Sequence, residues 1–432
     1  MIRTIRSIAA ATAAVAFIPA LAAAQASPGE NAPYIIRGGT VITGTGERLP
    51  NTSILVRNGR IVQMGQNITG GDAKVIDAKD KFVYPGMIDA YTPIGLVEIG
   101  GVQTMTMRSE MGQFNPHMRA LVALNIESEF LGVTRMNGVT TVLSTPAGGV
   151  ISGQAALINT AGWTWEDIAV KRDAGIIFNL PGSGGGGRGG RGGRGGGGGG
   201  PDAATLTAEL TNFMQASREY DERRTAGSNK VDLIYESMRP LFKKEIPAII
   251  PANGEAAIKA AIDFGDKYNI RVVVMGGSEA YKVRTVLAQK KIPVILSSIQ
   301  AAPGDHTAYD EIYAQPGLLY EAGVKFAFST GGGANARHVP FHAALAVAYG
   351  LPPEGALKAL TIWPAEIFGA EKDIGSIAQG KIANLFVSTG DPLDFRSQIT
   401  DVVIKGRLVP DDDRHHRLYE KYKARPLTTT TP

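Results

Sequence analysis

Eight short apolar runs alternate with helix-forming stretches over about 250 residues, and hairpin signals gather at the two ends of the chain. This pattern predicts an α/β fold: a TIM (β/α)8 barrel plus a small composite β-sandwich domain built from the N- and C-terminal segments. The runs lie at 82–88, 139–144, 155–160, 175–180, 247–252, 271–275, 292–298 and 324–329. Several are unbroken β-branched stretches, as expected for parallel strands covered on both faces. Stretches 202–224, 255–268 and 279–290 carry apolar residues at helical spacing between them. A doubly wound open sheet also alternates strand and helix, but it leaves the β-rich termini unexplained.

The terminal hairpins have local causes. Asn58-Gly59 stands between two apolar runs in 54–64, the strongest short hairpin signal. Residues 35–43 (IIRGGTVIT) read as a second pair of strands. Near the other end, 383–387 is strand-like and 403–409 is a hairpin about Gly406. The expected organisation is a composite β domain from 34–81 and 374–410, a barrel over 82–373, and a tail over 411–432.

Residues 1–26 stand apart. Arg3 and Arg6 precede a short apolar run from Ile8 to Leu21, and Ala24-Gln25-Ala26 is a small-x-small cleavage signal. The run is too short to span a bilayer, so the segment reads as a secretory leader, with no membrane anchor expected after cleavage. With no cysteine in the chain, neither disulfides nor a lipid-bearing cysteine is available, and a periplasmic or secreted location is expected. Loss of the leader takes Arg3 and Arg6 and lowers the formal net charge from +4 to +2, so composition gives no argument for a nucleic-acid or membrane partner, and none is expected. The tract 183–201, with Arg188, Arg191 and Arg194 among glycines, cannot bury enough surface to offset its chain entropy and is expected to be a disordered insertion.

Residues 82–95 (FVYPGMIDAYTPIG) resemble the first barrel strand of the amidohydrolase superfamily, which reads PG-hydrophobe-ID-x-H-x-H there. Residues 343–363 are similar to the helix pair that follows barrel strand eight in that family. Residues 364–387 (PAEIFGAEKDIGSIAQGKIANLFV) are similar to its return into the β domain, and GGSEAYK around Glu279 to the strand-six exit of imidazolonepropionase-like members. The resemblance implies a hydrolase of non-peptide C–N bonds, of the cyclic-amide type. It also implies one or two metal ions held by the strand-one HxH pair, a histidine after each of strands five and six, and an aspartate after strand eight. Some members add a bridging lysine or glutamate at strand four, which is missing from GIIFNLP here. Such an ion lowers the pKa of a bound water and polarises the substrate carbonyl.

The corresponding positions in this chain hold Tyr91, Pro93, Pro251, Gly276 and Gly331. Proline and glycine carry no donor side chain, so the usual centre is expected to be absent and no cofactor is expected. Polar candidates for the strand-exit pocket are Tyr91, Asn253, Glu279, His306, Arg337 and His338. Glu279 follows a Gly-Gly-Ser turn, where it would cap the next helix. Arg337 is suited to clamp a carboxylate or to pair with an acid such as Glu279. Gly331 to Gly333 could cradle an anion, and Ser297, Ser298 or Ser329 could combine with His306 as a nucleophile pair. His338 and His342, four apart with Pro340 in a first helical turn, could with His306 form a displaced zinc site. His117 reads as a loop histidine, and His415 and His416 as part of a charged, exposed tail.

Two functions follow as expectations. One is an exported, non-catalytic family member that binds a small-molecule ligand, or that assembles with itself or with a metal-bearing relative. The other is a working hydrolase with a displaced zinc site or metal-free acid–base chemistry.

Overall fold

The computed structural model describes residues 32–182, 202–301 and 308–425. The leader, the glycine-arginine tract and His306 lie outside the described residues. Among those described, no helix is long and apolar enough to cross a membrane.

The larger sheet contains eight strands in the order of the chain: β6 (Met87–Thr92), β7 (Val139–Ser144), β8 (Ile151–Asn159), β9 (Ala169–Phe178), β10 (Ala248–Ala252), β11 (Val272–Gly276), β12 (Val294–Leu296) and β13 (Phe326–Phe328). Each expected barrel run supplies one of them. The sheet curls until β13 meets β6, where Gly331 N donates to Tyr91 O at 3.2 Å. Ile88, Leu157, Ile249, Val273, Ile295 and Ala327 share one buried cluster with Phe368 and Ile374, which close its lower end. Each of these Ile, Leu, Val and Phe side chains contributes roughly 1.5–3 kcal/mol on burial.

One expectation fails. The strands are not all parallel, because β8 runs antiparallel to both β7 and β9. A parallel crossover needs a dozen or more residues, whereas Ser144 and Ile151 are joined by a short loop that can only reverse direction. The sequence hid this reversal because the strand starts at Ile151, on the polar stretch Ser152-Gly153-Gln154, rather than at 155. Unlike a regular (β/α)8 barrel, the chain therefore has two hairpin connections where helices were expected.

The smaller sheet contains β1 (Tyr34–Ile42), β2 (Arg48–Arg57), β3 (Arg60–Gly65), β4 (Lys74–Asp77), β5 (Phe82–Pro85), β14 (Leu385–Ser388), β15 (Ile399–Ile404) and β16 (Arg407–Leu408). Hydrogen bonds join all of them into one sheet made from both ends of the chain. The stretch 35–43 is a single strand and not a hairpin: Gly38, at φ +73°, kinks β1 so that its first half pairs with β4 and its second with β5. The hairpins at Asn58-Gly59 and Lys405-Gly406 form as expected, with positive φ at all four residues.

The run 82–88 is likewise two strands. Phe82–Pro85 pairs with β14 in the smaller sheet, so that domain extends past residue 81, and the barrel begins at Met87. Gly86 makes the junction. A Cβ there would stand 1.9 Å from Thr140 Oγ1, so only glycine lets the two sheets approach.

The helices used below are α1 (Glu129–Arg135), α2 (Ala203–Thr225), α3 (Glu255–Tyr268), α4 (Arg284–Lys290), α5 (Glu311–Glu321), α6 (Val339–Ala348) and α7 (Ile362–Phe368). Asp202 caps α2 by accepting from Thr205 N, and Asn269 ends α3 in a left-handed turn at φ +51°. Pro340 occupies the first turn of α6, where its missing N–H costs nothing.

Candidate functional site

The exits of the parallel strands share one end of the barrel, and the residues singled out from sequence fall there in separate groups. At the β6–β13 seam, Asp89 is fully buried. It accepts from Thr330 Oγ1 at 2.5 Å, from Thr330 N and from Tyr91 N. Burial pushes its pKa up to about 7 against these hydrogen bonds, which pull the other way. A carboxyl group titrating near neutrality is the kind that acid–base catalysis uses. Both of its oxygens, however, are spent on the seam, and no surface of it is open to a substrate.

Beside it, Tyr91 is half-buried and packs against the barrel core. Its hydroxyl accepts from Arg108 Nη2 at 2.5 Å, and the Arg108 Cζ lies 5.6 Å from the ring centroid. Arg108 also donates from Nε to Thr145 O at 3.3 Å. Gly331 is exposed and faces the same ring. Sequence reasoning missed Arg108. It sits in MTMRSEMG within a long irregular stretch, with no period or motif to point at it.

A second group lies at the β10 and β11 exits. Gly276 adopts φ +105°, and a Cβ there would stand 2.3 Å from Asn253 Oδ1. Asn253 O accepts from Glu279 N at 2.9 Å and from Ser278 Oγ at 3.1 Å. Glu279 does not cap the helix that follows it. Its Oε2 instead accepts from Glu255 N at 2.7 Å, capping α3 from across the loop, while Oε1 pairs with Lys282 at 2.8 Å. The Lys282 hydrogen bond and the α3 amide hold its pKa below the ordinary range.

The third group follows β13. Arg337 Nη1 donates to Ala334 O at 2.5 Å, so among the described residues it pairs with neither Glu279 nor another acid. His338 is half-buried, and burial, then Arg337, lowers its pKa. His342 is 2% exposed. Burial and the neighbouring His338 depress its pKa to about 4, against a backbone hydrogen bond at Ser329 that favours the charged form. Its Nδ1 has no partner among the described residues. Ser329 Oγ donates to Leu296 O at 2.6 Å inside the wall and is no exposed nucleophile. His306 lies outside the described residues, so neither a Ser–His pair nor a three-histidine zinc site is assembled among those described. Among the described residues, the group of His and carboxylate side chains close enough to share an ion is Asp411, Asp413 and His416, in the tail. Its two ring nitrogens already face Asp411 and Asp413.

The positions where the resemblance places metal ligands do not fit an ion. Pro93, Pro251, Gly276 and Gly331 offer no donor, and Asn253 fills the space beside Gly276 that a histidine there would need. The remaining donor, the Tyr91 phenol, is hydrogen-bonded to a guanidinium cation. The cavity of about 730 Å³ lies at the other end, between the strand starts at Arg271, Pro293 and Lys325 and the helix ends at Lys291 and Ile367.

A nearly closed eight-stranded barrel and a second sheet made from both termini are the architecture of the amidohydrolases to which the chain is similar. The amidohydrolase family model matches residues 305–409. An amidohydrolase from Thermotoga maritima superposes with a TM-score of 0.73 at 26% identity, covering 87% of this chain and 99% of that one. Adenine deaminase of Rubrobacter xylanophilus is 23% identical over 424 residues, which is 90% of this chain and 59% of the relative. Dihydropyrimidinase 1 of Caenorhabditis elegans is 42% identical over 71 residues, 16% of this chain and 14% of the relative. The chain thus spans less than two thirds of either curated relative.

Proposed function

We propose that this protein is an exported, non-catalytic member of the superfamily, in which the barrel mouth serves as a ligand-binding or partner surface and no longer holds a metal centre. The observation that carries the reading is Gly276. Its backbone sits at φ +105°, and its side-chain space is taken by Asn253, so the wall has rebuilt itself around the missing ligand. Tyr91 supports the same reading, since its oxygen is turned to Arg108. Hydrolysis of a C–N bond by the route implied for relatives needs an ion to activate water, and the chain supplies no donor set for one at these positions. The partner in this reading is a small molecule, a second copy of the chain, or a metal-bearing relative.

Elemental analysis tests the reading. Protein purified from zinc-replete medium and dialysed without chelator is expected to hold far less than one ion per chain. Stoichiometric zinc that vanishes in a His338→Ala/His342→Ala variant would overturn it in favour of a displaced catalytic site. Chelator-resistant hydrolysis of dihydrouracil or a dipeptide would overturn it in favour of metal-free chemistry.

A further inference from the structure

Among the described residues, Arg108 has no counter-ion. Among the described residues, its two hydrogen bonds both go to neutral oxygens, the Thr145 carbonyl and the Tyr91 hydroxyl. Several other half-buried arginines are compensated, whereas Arg284 and Arg337 each donate to a single local carbonyl, Tyr281 O and Ala334 O. Arg239 pairs with Asp221 and Glu236, and Arg407 with Asp167. Arg218 and Arg271 lack a carboxylate, but each donates to a carbonyl in the last turn of a helix, Tyr268 O of α3 and Ile367 O of α7. The negative end of a helix dipole stands in for the anion there. Arg108 lies outside any helix and has neither kind of partner among the described residues.

Its surroundings hold it in place and leave it reachable. Nε is tied to the β7 exit, Nη2 to Tyr91, and the backbone carbonyl accepts from Ala147 N at 2.8 Å. Nη1 has no acceptor among the described residues, and Nη2 makes one hydrogen bond of the two its hydrogens allow. The neighbouring position on the β13 side is Gly331, whose missing side chain leaves the Tyr91 ring face uncovered. A guanidinium fixed in this way presents a parallel pair of N–H donors, the geometry that a carboxylate accepts two-pronged.

We propose that the barrel mouth is a carboxylate-binding site in which Arg108 grips the anion and Tyr91 orients Arg108. The fixed guanidinium supplies the positive charge at a position where, by the resemblance, relatives place an ion. The proposal rests on the non-metal reading of the site and names its ligand class: a small organic carboxylate.

The test uses the full chain in chelator at constant ionic strength. It compares acetate with acetamide, which matches it in shape but not in charge, and follows the arginine side-chain NMR signals and the thermal midpoint. Acetate is expected to shift one arginine resonance saturably, with a dissociation constant of about millimolar order, while acetamide leaves it unmoved. Arg108→Gln should weaken acetate by roughly tenfold or more. Arg108→Lys, which keeps the charge but not the fork, should recover part of that loss. Tyr91→Phe should weaken acetate less than Arg108→Gln does, since it removes an orienting contact and not the grip. The proposal is overturned if the response does not saturate by about 0.1 M, if acetamide matches acetate, or if Arg108→Gln binds as the parent does. A response present without chelator and abolished by it would place an ion in the mouth and sink the non-metal reading itself, so the two failures are distinguishable.

Discussion

Burial pushes Asp89 up to about 7 and His342 down to about 4, and the two groups contact adjacent residues of the β13 exit, Thr330 and Ser329. Their effects on stability oppose each other. Between about pH 4 and 7 the folded chain holds a proton on Asp89 that the unfolded chain releases, so this group's contribution falls as pH rises, by at most about 4 kcal/mol. Over roughly pH 4 to 6.5 the unfolded chain protonates His342 while the folded chain does not. Its contribution therefore rises with pH, by at most about 3 kcal/mol. The parent is expected to show a shallow profile. Asp89→Asn should expose the histidine slope, with stability growing from pH 4.5 to 6.5, and His342→Gln should expose the opposite one. Urea unfolding midpoints at the two pH values check both, and an Asp89→Asn profile parallel to the parent's would contradict the raised carboxyl pKa.

At the scale of elements, α3 starts at Gly254, which has no side chain to cap it, and the missing acceptor comes from Glu279 on the next strand exit. One carboxylate thereby ties the β10 and β11 exits together and meets the positive end of the α3 dipole. Glu279→Ala should cost about 1 kcal/mol at neutral pH. Because the folded pKa is lowered, that contribution is present above the ordinary glutamate range and fades in acid, so parent and variant should converge as pH falls. Thermal midpoints across pH read this. If Glu279 were a catalytic or ligand-bound group and not a cap, its removal would leave stability unchanged. The antiparallel β8 belongs to the same scale, since a loop too short for a crossover helix sets its direction whatever its side chains prefer.

For the whole molecule, the two sheets are fastened by polar groups. Asp167, on the connection between β8 and β9, pairs with Lys405 at 2.7 Å and Arg407 at 2.6 Å from the smaller sheet. Burial works to raise its pKa, but hydrogen bonds from Arg407 and Lys405 outweigh it and hold the value at about 2. Asn384 extends the seam, donating to Asn159 at 2.7 Å and accepting from Lys405 N at 2.8 Å. Asp167→Asn is expected to cost about 2–3 kcal/mol at pH 7, leaving two cations without their partner. The depressed pKa makes this contribution full above about pH 4 and lost as pH falls towards 2. Equilibrium unfolding at pH 7 and pH 3 measures it, and a pH-independent cost would argue against the ion pairs.

Strand and helix positions were legible locally. Apolar runs marked all eight barrel strands, Asn58-Gly59 and Gly406 marked hairpin turns of the smaller sheet, and PGMID marked the entry to the barrel. These signals depend on side-chain periodicity and backbone preference over a few residues, and such short-range physics survives in a linear reading. That proline and glycine carry no metal-donor side chain is likewise readable from residue identity wherever they stand. Partnership was not readable. Asp89 meets Thr330 across 241 residues, Glu279 reaches back 24 to α3, and Arg108 finds Tyr91 from a stretch without pattern. Which polar groups are buried, paired or left with an unanswered charge depends on how distant segments close around them, and here only the folded barrel decided it.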